Sequence, residues 1–200
     1  MRKTIITATI ALVVGQSVAQ PKIFSDVQNE AGRSIGTNLV TFASYKKGFK
    51  WDMCMSYYEK YEDGDTTSVY AVGFDLSTRT PIDMDEDSRM LIKFDNDSII
   101  ETTVLHKLGP TDFHFKSTYG VVSYTFMPFY ILTDAQMDYI SAHKIIKIRL
   151  EAPWSNQGYF DYYEAPHSKI WTPSETIAAF RKVIQKRLRE KPNNTIYDNF

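Results

Sequence analysis

The sequence predicts an α+β domain made mainly of antiparallel strands, with one short inserted helix and an amphipathic helix at the C-terminal end; a two-layer β-sandwich is the close competitor. Three observations predict it. Apolar and polar residues alternate with period two in about eight segments, the mark of half-buried strands. Turn-forming residues separate consecutive segments, so neighbours join as hairpins and pair antiparallel. Two capping boxes, at Thr133 and Thr172, mark helix starts.

The chain opens with a positive Met1-Arg2-Lys3, an uncharged apolar run from Thr4 to Val14, and the small residues Ser17-Val18-Ala19. That order is expected of an export signal, residues 1–19, cut after Ala19; the apolar run is too short to span a bilayer. A lipoprotein needs a cysteine directly after the signal, and Gln20-Pro21 stand there instead. The mature chain is therefore expected to be periplasmic or secreted and not lipid-tethered. It has no second apolar stretch that would form a transmembrane helix.

Residues 20–37 are polar, carry Asn29, Gly32 and Gly36, and show no sustained period, so they read as an irregular lead-in. A single domain is expected over 38–191. Its first strand runs from Leu39 to Lys46 and turns at Lys47-Gly48; Trp51, Met53, Met55 and Tyr57 then share one face of a second strand, with Lys50, Asp52 and Ser56 on the other. After a turn at Glu62 to Asp65, Tyr70, Val72, Phe74 and Leu76 alternate with Val69, Ala71 and Gly73, a strand apolar on nearly both sides and so central. Past a loop with Pro81, Met90 to Phe94, the turn Asp95-Asn96-Asp97 and Ile99 to Leu105 form the clearest hairpin, because Asn and Asp tolerate positive φ.

The stretch from Phe113 to Leu132 is strand-like with breaks at Gly120 and Pro128. Thr133 and Gln136 cap a short helix to about His143, and Ile146, Ile148 and Leu150 alternate with Lys147, Arg149 and Glu151 in a strand with one wet face. Pro153 to Trp171 reads as aromatic and irregular. The last helix, about 173–191, has Thr172 as N-cap, Pro173 at its first position and an apolar stripe of Ile177, Phe180, Ile184 and Leu188; Pro192 stops it and 192–200 form a tail. Its Arg181, Lys182, Lys186, Arg187, Arg189 and Lys191 are expected to face water near the dipole's negative end.

The segment from Leu91 to Leu150, with LIKFDNDSIIETT, then YTFMPFYILT, then DAQMDYISAHKIIKIRLE, resembles small secreted strand-rich proteins of unknown role from Bacteroidota, as does the Ala-Gln junction after the signal. The resemblance covers about a third of the chain. It rests on core and turn residues, so it implies a fold and an exported compartment and carries no activity across.

The whole chain has a formal charge of −1, and loss of Arg2 and Lys3 takes it to −3, which gives no general attraction to nucleic acid. Cys54 is the only cysteine, so no intrachain disulfide forms; no His, Lys or Arg lies within three residues of it to favour a thiolate. Asp83, Asp85 and Asp87 alternate as in a calcium loop, but Ser88 and Phe94 replace the glycine and the bidentate carboxylate an EF-hand requires. Asp161, Glu164 and His167 are spaced for one helical face, yet Pro166 and the aromatic run before it argue against a helix. His106, His114 and His143 are scattered. No serine-hydrolase elbow, zinc motif or phosphate loop occurs, and no cofactor or metal is implied.

The strongest surface candidate is the run of Trp154, Tyr159, Phe160, Tyr162, Tyr163 and Trp171, interleaved with Asn156, Gln157, Asp161 and Glu164. Aromatic rings flanked by amides and carboxylates suit sugar recognition, the rings lying against C–H faces and the polar groups taking hydroxyls; the same rings also pin a loop to a sheet. Trp154, Tyr159, Tyr162, Tyr163 and Trp171 are the expected ligand-binding residues. The expected function is a non-catalytic binding module for a glycan or an envelope protein. The alternatives are an exported hydrolase using Asp161, Glu164 or His167, and a structural or assembly subunit docking through the last helix or an edge strand.

Overall fold

The computed structural model describes residues 20–44, 50–62, 64–78, 84–108, 114–118, 121–152, 158–163, 168–169 and 171–190. The expected signal at 1–19, the Lys47-Gly48 turn, the Pro81 loop, the Gly120 break and everything from Lys191 onward lie outside them. Strands and helices follow in the order β1 Ile23–Asn29, β2 Gly32–Thr37, β3 Val40–Ser44, β4 Lys50–Glu62, β5 Asp65–Thr78, β6 Arg89–Phe94, β7 Ile99–Thr103, β8 His114–Thr118, β9 Val121–Phe126 and β10 Phe129–Leu132, then α1 Asp134–Ala142, β11 Ile145–Ala152, β12 Gly158–Tyr163, β13 Ser168–Lys169 and α2 Pro173–Leu188. Every ladder is antiparallel.

The α+β class predicted from alternation is the observed one, and the strands divide into two sheets. The larger sheet is organised by the long β4–β5 hairpin, whose strands stay in register from Asp52 opposite Asp75 to Glu62 opposite Asp65. Each of these strands is longer than any one neighbour, so its outer edge is shared. β4 pairs with β3 near its start and with β2 near its end, while β5 pairs with β10 in its middle and β9 near its end. The smaller sheet has the order β12-β11-β6-β7. A bridge between Val104 and Tyr130, with the Leu105 amide donating to the Phe129 carbonyl at 2.6 Å, stitches the end of β7 to β10.

One core fills the space between the sheets. Met53, Met55, Val72 and Phe74 from the larger sheet meet Met90, Ile92, Ile148, Leu150 and Phe160 from the smaller, and Ile177, Phe180 and Ile184 of α2 join them. Rings cross the interface, with Phe42 5.3 Å and Trp51 6.1 Å from Tyr162, both edge-on. The Trp51 Nε1 and the Tyr130 hydroxyl are buried there without a hydrogen-bond partner. α2 lies across β4, its neighbours β2 and β3, and β1 beyond β2. Both helices start at the predicted capping boxes, Thr133 with Gln136 and Thr172 with Glu175. α1 is pinned to the β6–β7 turn by the Tyr139 hydroxyl, which accepts from Asn96 Nδ2 at 2.9 Å, and Asp97 holds the positive φ of 64° expected of that turn.

Four expectations are corrected. Residues 20–37 are a hairpin, not an irregular lead-in. Asn29 Oδ1 accepts the amides of Ala31 and Gly32 at 2.9 and 3.1 Å and so closes the β1–β2 turn, and a Cβ on Gly32 would sit 2.0 Å from the Glu59 carbonyl, so glycine lets β2 approach β4. The irregular Pro153 to Trp171 segment contains β12, paired with β11, and β13, paired with β3. α2 ends at Leu188, capped by Arg189, rather than near 191. In β11 a register shift between Ile145 and Lys147 turns Ile145 inward where Ile146 was expected.

Candidate functional site

The outer face of the smaller sheet is where the predicted aromatic segment meets polar partners. In β6 the residues Met90, Ile92 and Phe94 point into the core, which turns Arg89, Leu91 and Lys93 outward; in β11 the inward Ile148, Leu150 and Ala152 leave Lys147, Arg149 and Glu151 outward. β12 follows the same rule. Phe160 and Tyr162 are buried, and Tyr159 and Asp161 face out. Antiparallel register sets Tyr159 opposite Glu151, Asp161 opposite Arg149, Leu91 opposite Arg149 and Glu101 opposite Leu91, so the outward side chains form rows across four strands.

Charge pairing organises these rows. Arg149 forks onto Asp161, Nε donating to Oδ1 at 2.7 Å and Nη2 to Oδ2 at 2.8 Å, and Lys147 Nζ lies 3.0 Å from the same carboxylate. Arg89 bridges two strands, its Nε donating to Glu151 at 2.8 Å and its Nη1 to Glu101 at 3.0 Å. Those two carboxylates, Glu151 first, hold the Arg89 guanidinium above its ordinary pKa. The Arg149 guanidinium carbon stands 4.1 Å from the centre of the Tyr159 ring, a cation–π contact that fixes the ring beside the ion pair. Tyr159 remains 46% exposed. A ring, a carboxylate and guanidinium groups are thus held in fixed relative positions at the solvent boundary, as recognition of a polar, flat-faced ligand requires.

The predicted site residues separate. Tyr159 is on this face. Tyr162 is only 2% exposed and packs in the core against Phe42 and Trp51, which corrects its assignment to a ligand surface: strand alternation sends it to the side opposite Asp161. Tyr163 ends β12 opposite Lys147, and Trp171 stands half-buried just before the N-cap of α2. Trp154 lies outside the described residues, as do Glu164 and His167. Arg89, Glu101, Lys147, Arg149 and Glu151 complete the face. Sequence reading saw the β11 charges only as a wet strand face, because their partners become visible only once the register is known.

The other candidates resolve differently. Cys54 sits on the outer face of the larger sheet but is covered, in a cluster with Ala71 and Phe129, its Sγ 3.7 Å from Met127 Sδ. Burial, with Asp75 adding to it, pushes its thiol up to about 12, so it remains an inert thiol at neutral pH. Asp85 closes a local turn, its Oδ1 accepting the Asp87 amide at 3.2 Å; Asp83 lies outside the described residues. His143 caps α1 and stacks on Tyr139 with ring centres 4.0 Å apart. Arg181 and Arg187 do not simply face water: Arg181 pairs with Asp134 and Asp138 of α1, and Arg187 pairs with Asp26 and Glu190. Among the described residues no group of three or more His, Cys, Asp or Glu side chains is placed to hold a metal ion, and no helix is long and apolar enough to cross a membrane.

No protein-family model, curated protein or solved structure matches this chain.

Proposed function

We propose that this protein is an exported, non-catalytic binding module that recognises a glycan through the outer face of the β12-β11-β6-β7 sheet, with Tyr159 as the platform for a sugar ring. The observation that carries the reading is the coupling of Tyr159 to Arg149 and of Arg149 to Asp161. The guanidinium holds the ring flat before any ligand arrives, so ordering it adds little cost on binding. A sugar's C–H face stacks on the ring, and its hydroxyls reach the carboxylates and guanidinium groups of the adjoining rows. Binding is favoured over hydrolysis because both oxygens of Asp161 are already engaged by the Arg149 guanidinium, which leaves neither turned toward a substrate.

The test is a panel of immobilised oligosaccharides probed with the mature chain and with Tyr159→Ala. Retention on a subset of the panel, lost in Tyr159→Ala without a fall in melting temperature, is the expected result. Retention unchanged by the substitution would reject this face. A wild-type chain that binds no oligosaccharide but captures an envelope protein through Tyr159 would move the ligand from glycan to protein.

A further inference from the structure

The β4–β5 hairpin carries a second polar cluster on its inward face, beyond the apolar part of the core. The inward side chains of β4 run Trp51, Met53, Met55, Tyr57, Glu59 and Tyr61, and those of β5 opposite them run Phe74, Val72, Tyr70, Ser68 and Thr66. The change from apolar to hydroxyl-bearing residues falls at the Tyr57–Tyr70 pair, whose rings are 5.1 Å apart. Past that point Glu59 is held between two phenols. Its Oε1 accepts from the Tyr57 hydroxyl at 2.7 Å and its Oε2 from the Tyr61 hydroxyl at 3.0 Å. Burial first, and then Glu59, push both phenols above their ordinary pKa, although Ser68 acts against the shift at Tyr57 and Arg33 at Tyr61; both remain protonated donors.

Glu59 differs from the three carboxylates that anchor the ion-pair clusters described above. Asp26 is paired with Arg33 and Arg187, Asp161 with Arg149 and Lys147, and Glu151 with Arg89. Among the described residues no cation stands within ion-pair distance of Glu59, and Arg33, which its charge influences, has Nε and Nη2 committed to Asp26 at 2.9 Å. The other guanidinium groups nearby are likewise engaged: Arg181 with Asp134 and Asp138, and Arg187 with Asp26 and Glu190. What is left on this part of the sheet is acceptor capacity. Each carboxylate oxygen has a further lone pair, and a carboxylate only accepts. A ligand that satisfies it must donate, and a carboxylate with no cation within ion-pair distance among the described residues favours a donor that is positive.

We propose that Glu59, with Tyr57 and Tyr61, forms a binding site for an alkylammonium group, supplied by a free primary amine or by a lysyl side chain. The site is independent of the Tyr159 face.

The test is an amide-shift NMR titration of the mature chain with n-butylammonium chloride, with 1-butanol as its neutral counterpart, and with N-acetyl-lysine N-methylamide. Saturable shifts at residues 57–61 and 66–70 are expected for the two amines and not for butanol. Glu59→Gln removes the charge and keeps one acceptor oxygen, its amide group donating to the second tyrosine hydroxyl in place of accepting from it, and should weaken amine binding about tenfold or more. Tyr61→Phe, a milder change at a half-buried position, should weaken it by a smaller factor. Tighter binding of the lysine derivative assigns the group to a peptide side chain, and tighter binding of butylammonium assigns it to a free amine. No saturable shift, butanol matching butylammonium, or unchanged affinity in Glu59→Gln would each overturn the proposal.

Discussion

Two arginine–aspartate forks of nearly the same geometry do different work in this molecule. Arg33 grips Asp26 with Nε and Nη2 both at 2.9 Å, and Arg149 grips Asp161 at 2.7 and 2.8 Å. The first is sealed, with side chains 6% and 5% exposed, and Arg187 of α2 adds a third bond to Asp26 at 2.6 Å, so the fork ties the N-terminal hairpin to the last helix. In the second the aspartate is equally buried, at 6% exposed, but Arg149 is 31% exposed and sets its guanidinium against the open Tyr159 ring. Burial of the arginine, not bond geometry, decides which fork holds the fold and which holds a surface in readiness. A desolvated charge that loses its partner is stranded, whereas a solvated one turns to water.

Breaking the sealed fork should have the largest effect. Asp26→Ala leaves the buried Arg33 guanidinium without a carboxylate and Arg187 with Glu190 alone, and should destabilise the chain by about 3 kcal/mol, a fall in melting temperature of roughly 6–12 °C. Urea denaturation checks it, and a loss below about 1 kcal/mol would erase the contrast between the forks.

Acid sharpens the same point. Burial alone would raise the Asp26 carboxyl, but the hydrogen bonds and charges of Arg33 and Arg187 outweigh it and hold its pKa below the ordinary value. A carboxyl lowered in the folded state stabilises fully above its unfolded pKa, about 3.9, and loses that contribution as pH falls through the folded value. Stability of the wild type should therefore drop below about pH 4 with a slope that Asp26→Asn reduces, which denaturation at a series of pH values would reveal.

The open fork should give the opposite pattern. Arg149→Ala leaves the buried Asp161 still paired with Lys147 at 3.0 Å, so it is expected to cost about 1 kcal/mol, less than Asp26→Ala, while abolishing retention on the oligosaccharides that the wild type binds. A melting temperature as low as that of Asp26→Ala would make the two forks equivalent.

The smallest effect concerns a polar group with no fork at all. Tyr130 buries its hydroxyl unpaired beside Phe74, the ring centres 6.2 Å apart. Tyr130→Phe removes the unsatisfied group and keeps the packing, so it should be neutral or stabilising by up to about 1 kcal/mol. A loss of stability on calorimetry would show that the hydroxyl is needed.

Much of the fold was legible because one face of most strands meets a single core. Met53, Met55 and Tyr57, Val72 and Phe74, and Ile148 and Leu150 alternate as written in the sequence and are buried as the alternation requires. The β1–β2 hairpin was not legible: β1 lies at the edge of its sheet, is at most half-buried, and shows little alternation to read. β12 was hidden by its composition. Tyrosine suits both faces of a strand, so Tyr159 and Tyr162 look alike until pairing with β11 sends one outward and the other into the core. The site was less legible than the fold for a related reason. Arg89 and Glu151 are 62 residues apart and Asp26 and Arg187 are 161 apart, and only the register and the docking of α2 bring their charges together.

The most direct measurement is an amide-shift map of residues 20–200 titrated with the oligosaccharide that they retain best. The account predicts that the perturbed amides concentrate in β12, β11 and β6 around Tyr159, Arg149 and Arg89, with the β1–β2 hairpin and α2 silent. Shifts centred on β1, β2 and α2, with the Tyr159 face unchanged, would contradict it.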